Sequence, residues 1–132
     1  MWQLAFVFYK PVAAFVYAAA FVTVGNGDSP TDVLSGLKED GTVLVNSPHK
    51  AEELGLPTDR RLATVDATSI ALTHHLGSPS APIVNTAILG GLARQCDIIP
   101  IDAVLDAIRY MAPARKEENA QAALETYERG VR

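Results

Sequence analysis

Residues 63–93, ATVDATSIALTHHLGSPSAPIVNTAILGGLA, decide the fold. Together with Leu62 they open on a short β-like run, Leu62-Ala63-Thr64-Val65, that stops at Asp66. A helix-like run follows over residues 68–76, and Gly, Ser and Pro break the pattern over 77–82. A second helix is predicted from residue 83 to 95. Val84, Ala87, Ile88, Gly91 and Leu92 fall at helical spacing there, so one face is expected to be buried. A strand whose carboxyl end opens into a loop and a helix is where α/β folds place ligands.

Working outward, Thr42-Val43-Leu44-Val45 is a continuous apolar run, the pattern of a strand covered on both faces. Upstream of it, Ser29-Pro30-Thr31-Asp32 reads as a helix start: Ser29 can cap, Pro30 suits the first turn and Asp32 favours the positive helix end. That helix would bury Val33, Leu34 and Leu37 and end at Asp40-Gly41. Residues 49–56 suggest a short helix stopped by Gly55 and Pro57. Downstream, residues 97–100 form a connector. Residues 101–111 are amphipathic, with Ile101, Val104, Leu105 and Ile108 on one face and Asp102, Asp106 and Arg109 outside. Pro113 breaks that helix, and a last one over 115–130 carries Ala120, Ala123, Leu124 and Tyr127 as its apolar stripe. Strand and helix alternate, so the fold class is α/β, with a parallel or mixed sheet and flanking helices.

Length and composition bound the function. A chain of 132 residues with 48% hydrophobic and 20% charged residues is globular and large enough for a core. A net charge of -4 and a pI near 5.2, with no basic stripe, argue against a nucleic-acid surface. The lone Cys96 cannot build a disulfide within the chain or a four-thiolate cluster, and the simple setting is a reduced, cytoplasmic one.

The first 27 residues stand apart from residues 28–132. Their only Asp, Glu, Lys or Arg is Lys10, while Trp2, Phe6, Phe8, Tyr9, Phe15, Tyr17 and Phe21 crowd into them. Three readings fit residues 4–24. A membrane helix needs about 20 apolar residues, and Lys10-Pro11 divides the run. A signal peptide would place its charge before the apolar core and a small-residue cleavage site after it; Lys10-Pro11 ahead of residues 12–20 fits that loosely, but the aromatic run before Lys10 does not. Two apolar segments, 4–9 and 12–24, stacked on an α/β core or a partner subunit fit best.

Candidate chemistry is sparse. Asp66 and Thr68, at the end of the central strand, can accept N–H bonds and cap the next helix, or can meet the edge of a substrate or cofactor. Asn85 and Thr86 are expected in the first turn of the second helix, where free N–H groups attract phosphates and carboxylates. His74 and His75 are adjacent, so on a helix they diverge by about 100° and do not form a metal pair. Gly25-Asn26-Gly27-Asp28 reads as a turn, and no phosphate loop or dinucleotide fingerprint is present. No metal site is expected.

Val65-Asp66-Ala67-Thr68, Ile70-Ala71 and Asn85-Thr86-Ala87-Ile88-Leu89-Gly90 resemble the second half of the gamma subunit of 2-oxoacid:ferredoxin oxidoreductases, the family of pyruvate:ferredoxin oxidoreductase. Gly41-Thr42-Val43-Leu44-Val45-Asn46-Ser47 upstream and Lys116-Glu117-Glu118-Asn119-Ala120 downstream extend the likeness, which runs from near Thr31 to the end. The resemblance implies a three-layer, Rossmann-like single domain, incomplete relative to the family because its Gly-rich N-terminal loop is not recognisable. The chain is then expected to be N-terminally truncated or divergent. It also implies a subunit that covers the active site and helps to place coenzyme A, with Asp66, Thr68, Asn85 and Thr86 as ligand or subunit contacts. The chain alone would bind no cofactor. Alpha, beta and ferredoxin-like delta subunits would hold thiamine diphosphate, Mg and 4Fe-4S clusters, oxidise a 2-oxo acid such as pyruvate to acyl-CoA and CO2, and reduce ferredoxin. The alternative is a non-enzymatic α/β module that docks on a partner or membrane through its apolar N-terminus.

Overall fold

A computed structural model of the chain describes residues 3–9, 18–24, 42–54, 61–95 and 99–130, the first two segments by their backbone only. The helix expected over residues 29–40, the turn at 25–28, most of the 97–100 connector and Cys96 lie outside these residues. The chain packs as two compact units, Met1–Thr64 and Val65–Val131.

In the first unit, β1 (Gln3–Tyr9) lies between β2 (Ala18–Val24) and β3 (Thr42–Asn46). It is antiparallel to both. Gln3 faces Val24 and Tyr9 faces Ala18 on one side, while Ala5 faces Val45 and Phe8 faces Thr42 on the other. With β4 (Arg61–Val65) the sheet order is β2-β1-β3-β4. Of the two sheet types that the sequence allowed, the antiparallel pairings exclude a wholly parallel one. Val43, Leu44, Val45 and Asn46 are buried in succession, as a strand covered on both faces requires. The short helix expected near residue 50 is a single 3-10 turn, Ala51–Leu54.

The second unit starts at the last residue of β4 and is helical: α1 (Ala67–Thr73), α2 (Ala87–Gln95), α3 (Ile101–Met111) and α4 (Lys116–Arg129). A two-residue hairpin, β5 (Gly77–Ser78) with β6 (Ala81–Pro82), separates the first two helices. Two α-helix boundaries differ by more than one residue from those read off the sequence. α1 ends at Thr73 instead of Leu76, because the Leu76 N–H donates back to Ala71 and the His75 N–H to Leu72. That 6→1 and 5→2 pair, with His75 at φ 57°, is a Schellman C-cap whose left-handed position holds a histidine where glycine is usual. α2 starts at Ala87 instead of Ile83, because the Ile83 N–H donates to Leu76 at 3.0 Å and keeps the chain extended beyond the hairpin.

The core of this unit comes from the predicted faces. Ala87, Ile88 and Gly91 are buried along α2, and Leu105 and Ile108 along α3. Leu105, Ile108, Ala112, Ala120 and Ala123 form one cluster, against which Leu89, Ile101, Val104 and Leu124 pack. α2 and α4 approach closely at Gly90, where any Cβ would collide with the Ala123 carbonyl. Small residues on α2 therefore set the helix spacing. Among the described residues, no helix is long and apolar enough to cross a membrane.

Candidate functional site

Two turns carry the residues singled out in the sequence. The first joins β4 to α1. Asp66 is the N-cap of α1, its Oδ1 accepting the Ser69 N–H at 3.0 Å. The capping role open to Asp66 is thus realised, and it offsets one of the free amides of the first turn. Thr68, one residue into the helix, is half-buried.

The second turn leads into α2. Asn85 and Thr86 precede the helix instead of occupying its first turn, a shift that follows from the hairpin holding Ile83. Asn85 is exposed, and its Oδ1 accepts the Thr86 N–H at 3.0 Å. The Thr86 hydroxyl donates to Asn119 Oδ1 on α4, and the Leu89 N–H donates to the Thr86 carbonyl at 3.1 Å.

Asn119, part of the family likeness in the sequence but not singled out there as a site residue, completes this turn. It is 8% exposed and sits in the first turns of α4. Its Nδ2 donates to the carbonyls of Ala114, at 3.2 Å, and Arg115, at 2.8 Å. With Oδ1 taken by Thr86, both donors and the acceptor of the amide are engaged. One buried side chain thereby ties the turn before α2 to the turn before α4, where Arg115 stands in the left-handed region at φ 48°. The signal in the sequence was an amide beside Ala120 on an otherwise apolar face.

The other polar residues fasten helices. His74 lies in the C-cap of α1, not on a helical face beside His75, and its Nε2 meets Glu125 Oε2 of α4 at 2.5 Å. Glu125 Oε1 pairs with Arg129. Arg94 lies over the Tyr127 ring, 5.4 Å from its centre, and so links α2 to α4. Arg109 grips Glu117 through Nε at 3.0 Å and Nη2 at 3.1 Å. That grip, with a further bond from Gln121, lowers the Glu117 carboxyl to about 2, and the same pairing raises Arg109. No group of three His, Cys, Asp or Glu side chains suited to a metal occurs among the described residues.

Asp66 and Thr68 thus share one turn, and Asn85 and Thr86 share another with Asn119. A profile of the pyruvate ferredoxin/flavodoxin oxidoreductases matches residues 3–130. The chain belongs to that family. The match reaches into the aromatic-rich N-terminal segment, which the sequence motifs alone did not connect to it. The chain is 44% identical over 102 residues to the pyruvate/ketoisovalerate oxidoreductases common subunit gamma of Pyrococcus abyssi, covering 74% of this chain and 53% of that protein. It is 38% identical over 96 residues to the pyruvate synthase subunit PorC of Methanosarcina barkeri, covering 71% of this chain and 50% of that one. The chain spans about half the length of these curated relatives. Its fold is similar to the crystal structure of pyruvate oxidoreductase subunit PORC from Thermotoga maritima, with a TM-score of 0.63 and 27% identity over 98% of this chain and 80% of that one.

Proposed function

We propose that the chain serves as a gamma-type subunit of a 2-oxoacid:ferredoxin oxidoreductase. The family match over residues 3–130 carries this reading, and the identity to subunits named gamma and PorC supports it. The chain contributes shape and contacts, not bond breaking. It covers the active site and helps to place coenzyme A, and it has no activity alone. One cysteine is too few for a 4Fe-4S cluster, which supports placing the clusters in other chains, and the same reading places thiamine diphosphate and Mg with them in alpha, beta and ferredoxin-like delta subunits. When bound there, these groups supply decarboxylation and electron transfer to ferredoxin. The assembly works in the cytoplasm.

Within this reading Asn85 and Thr86 are the better ligand contacts. Asn85 is exposed and has an amide N–H2 to offer, while the Asn119 bond gives Thr86 one fixed orientation. Asp66, an anion already engaged with the Ser69 amide, suits a subunit contact more than a phosphate of coenzyme A. Thr68 stands beside it on the same turn. Co-expression with alpha, beta and delta subunits of this family tests the assignment. The expected result is one complex showing iron–sulfur absorbance and bound thiamine diphosphate. Recovery of the chain free of those subunits, with all of them soluble, would overturn it.

A further inference from the structure

Helix α3 carries apolar side chains on its outer side as well as its inner one, beside the outward Asp102, Asp106 and Arg109. Its inner side, with Leu105 and Ile108, is spent on the core. Its outer side presents Ala103, Ala107, Tyr110 and Met111, all exposed, with Tyr110 83% and Met111 73% open to solvent. A surface helix normally turns charge outward, so a large aromatic and a methionine together there are unusual. Both residue types are enriched where proteins meet.

The platform is also rigid, and it is acidic along one edge, where Asp102 and Asp106 lie. Arg109, one residue before Tyr110, is held by two hydrogen bonds to Glu117 on α4, which fixes the end of α3 and lowers the ordering cost of docking. The cation on this helix, Arg109, is committed to Glu117 and, at 3.6 Å, to Asp106. A second copy packed on a twofold axis would bring like carboxylates into one rim, and an anionic lipid surface would meet the same repulsion. The complementary occupant is a protein with an apolar pocket and a basic edge.

We propose that the outer face of α3, centred on Tyr110 and Met111, is where this chain docks onto a companion subunit whose apolar pocket is rimmed by lysine or arginine. This rests on the gamma-subunit reading given above. The test compares Tyr110→Glu and Met111→Lys with Ile83→Lys, an exposed apolar position off this face, each checked for unchanged melting temperature. Affinity for the co-expressed companion subunits is read by titration. The two α3 variants are expected to weaken binding by about thirtyfold or more, the range of an interface hot spot, with Ile83→Lys unchanged. Wild-type assembly with undiminished binding by both α3 variants would overturn the inference and leave the gamma-subunit reading standing. Failure of the wild-type chain to bind any companion would remove that reading and this surface with it. Loss of a dimer of the chain alone, with companion binding intact, would assign the face to a second copy and overturn the proposal.

Discussion

Asn119 shows how a polar side chain becomes structural. Its three side-chain hydrogen bonds are partly shielded from water, so truncation removes the partner of the Thr86 hydroxyl and of the Ala114 carbonyl, while the Arg115 carbonyl keeps the backbone N–H of residue 119. Asn119→Ala is therefore expected to cost about 1–3 kcal/mol, read from urea unfolding. If the bond to Thr86 is the main element, Thr86→Val should add little in the Asn119→Ala background. Full additivity would show the two sites to be independent. A different outcome is expected at His75, whose φ of 57° strains any residue with a Cβ. His75→Gly should stabilise by about 0.5–1 kcal/mol in thermal melts, since relief of that strain exceeds the added freedom of the unfolded chain. A lower melting temperature would mean that the imidazole makes a contact worth more than the strain. The sequence made the Asp66 cap legible because acid-then-helix is a local rule. It left Asn119 and Thr126 unread because their polarity disguises burial: the Thr126 hydroxyl returns to the Ala122 carbonyl at 2.9 Å and so needs no water.

Between elements, spacing and charge act differently. Alanine in place of a helical glycine ordinarily gains about 1 kcal/mol. At Gly90 the new methyl would strike the Ala123 carbonyl, a backbone atom that moves only if α2 and α4 separate. Gly90→Ala should then be net destabilising, by about 2 kcal/mol once the overpacking is set against the gain in propensity. A melting temperature at or above wild type would contradict the close approach. The Arg109–Glu117 pair between α3 and α4 predicts a pH signature. Glu117 titrates near 2 in the fold against an ordinary 4.5, so its contribution is present above 4.5 and is lost as the pH falls toward 2. The pair is solvent-exposed and its effect is small. Urea midpoints of wild type and Glu117→Gln should differ at pH 7 and converge near pH 2; a constant difference would assign the effect to packing. Helical periodicity located α3 and α4 well because their apolar faces are long. It misplaced the end of α1 and the start of α2 because the hairpin between them is held by backbone bonds, which leave no mark in side-chain pattern.

For the molecule as a whole, α/β character was readable from strand-like and helix-like runs in one chain, and the family from two motifs at fixed spacing. Among the described residues, however, the four strands of the larger sheet precede the four α-helices and do not alternate with them. The antiparallel position of β1 between β2 and β3 was not readable, because strand order depends on pairing between distant segments. Taken alone, the chain is expected to bind coenzyme A weakly or not at all; calorimetry giving a dissociation constant in the low micromolar range would contradict that. The central claim is that this polypeptide lends form to chemistry carried out by other chains. Pyruvate-dependent, coenzyme A-dependent reduction of a viologen dye tests it most directly, measured on the purified chain and on the complex with and without it. The account predicts no turnover by the chain alone and turnover in the complex that falls when the chain is omitted. Turnover by the isolated chain, or full activity of the complex lacking it, would contradict the account.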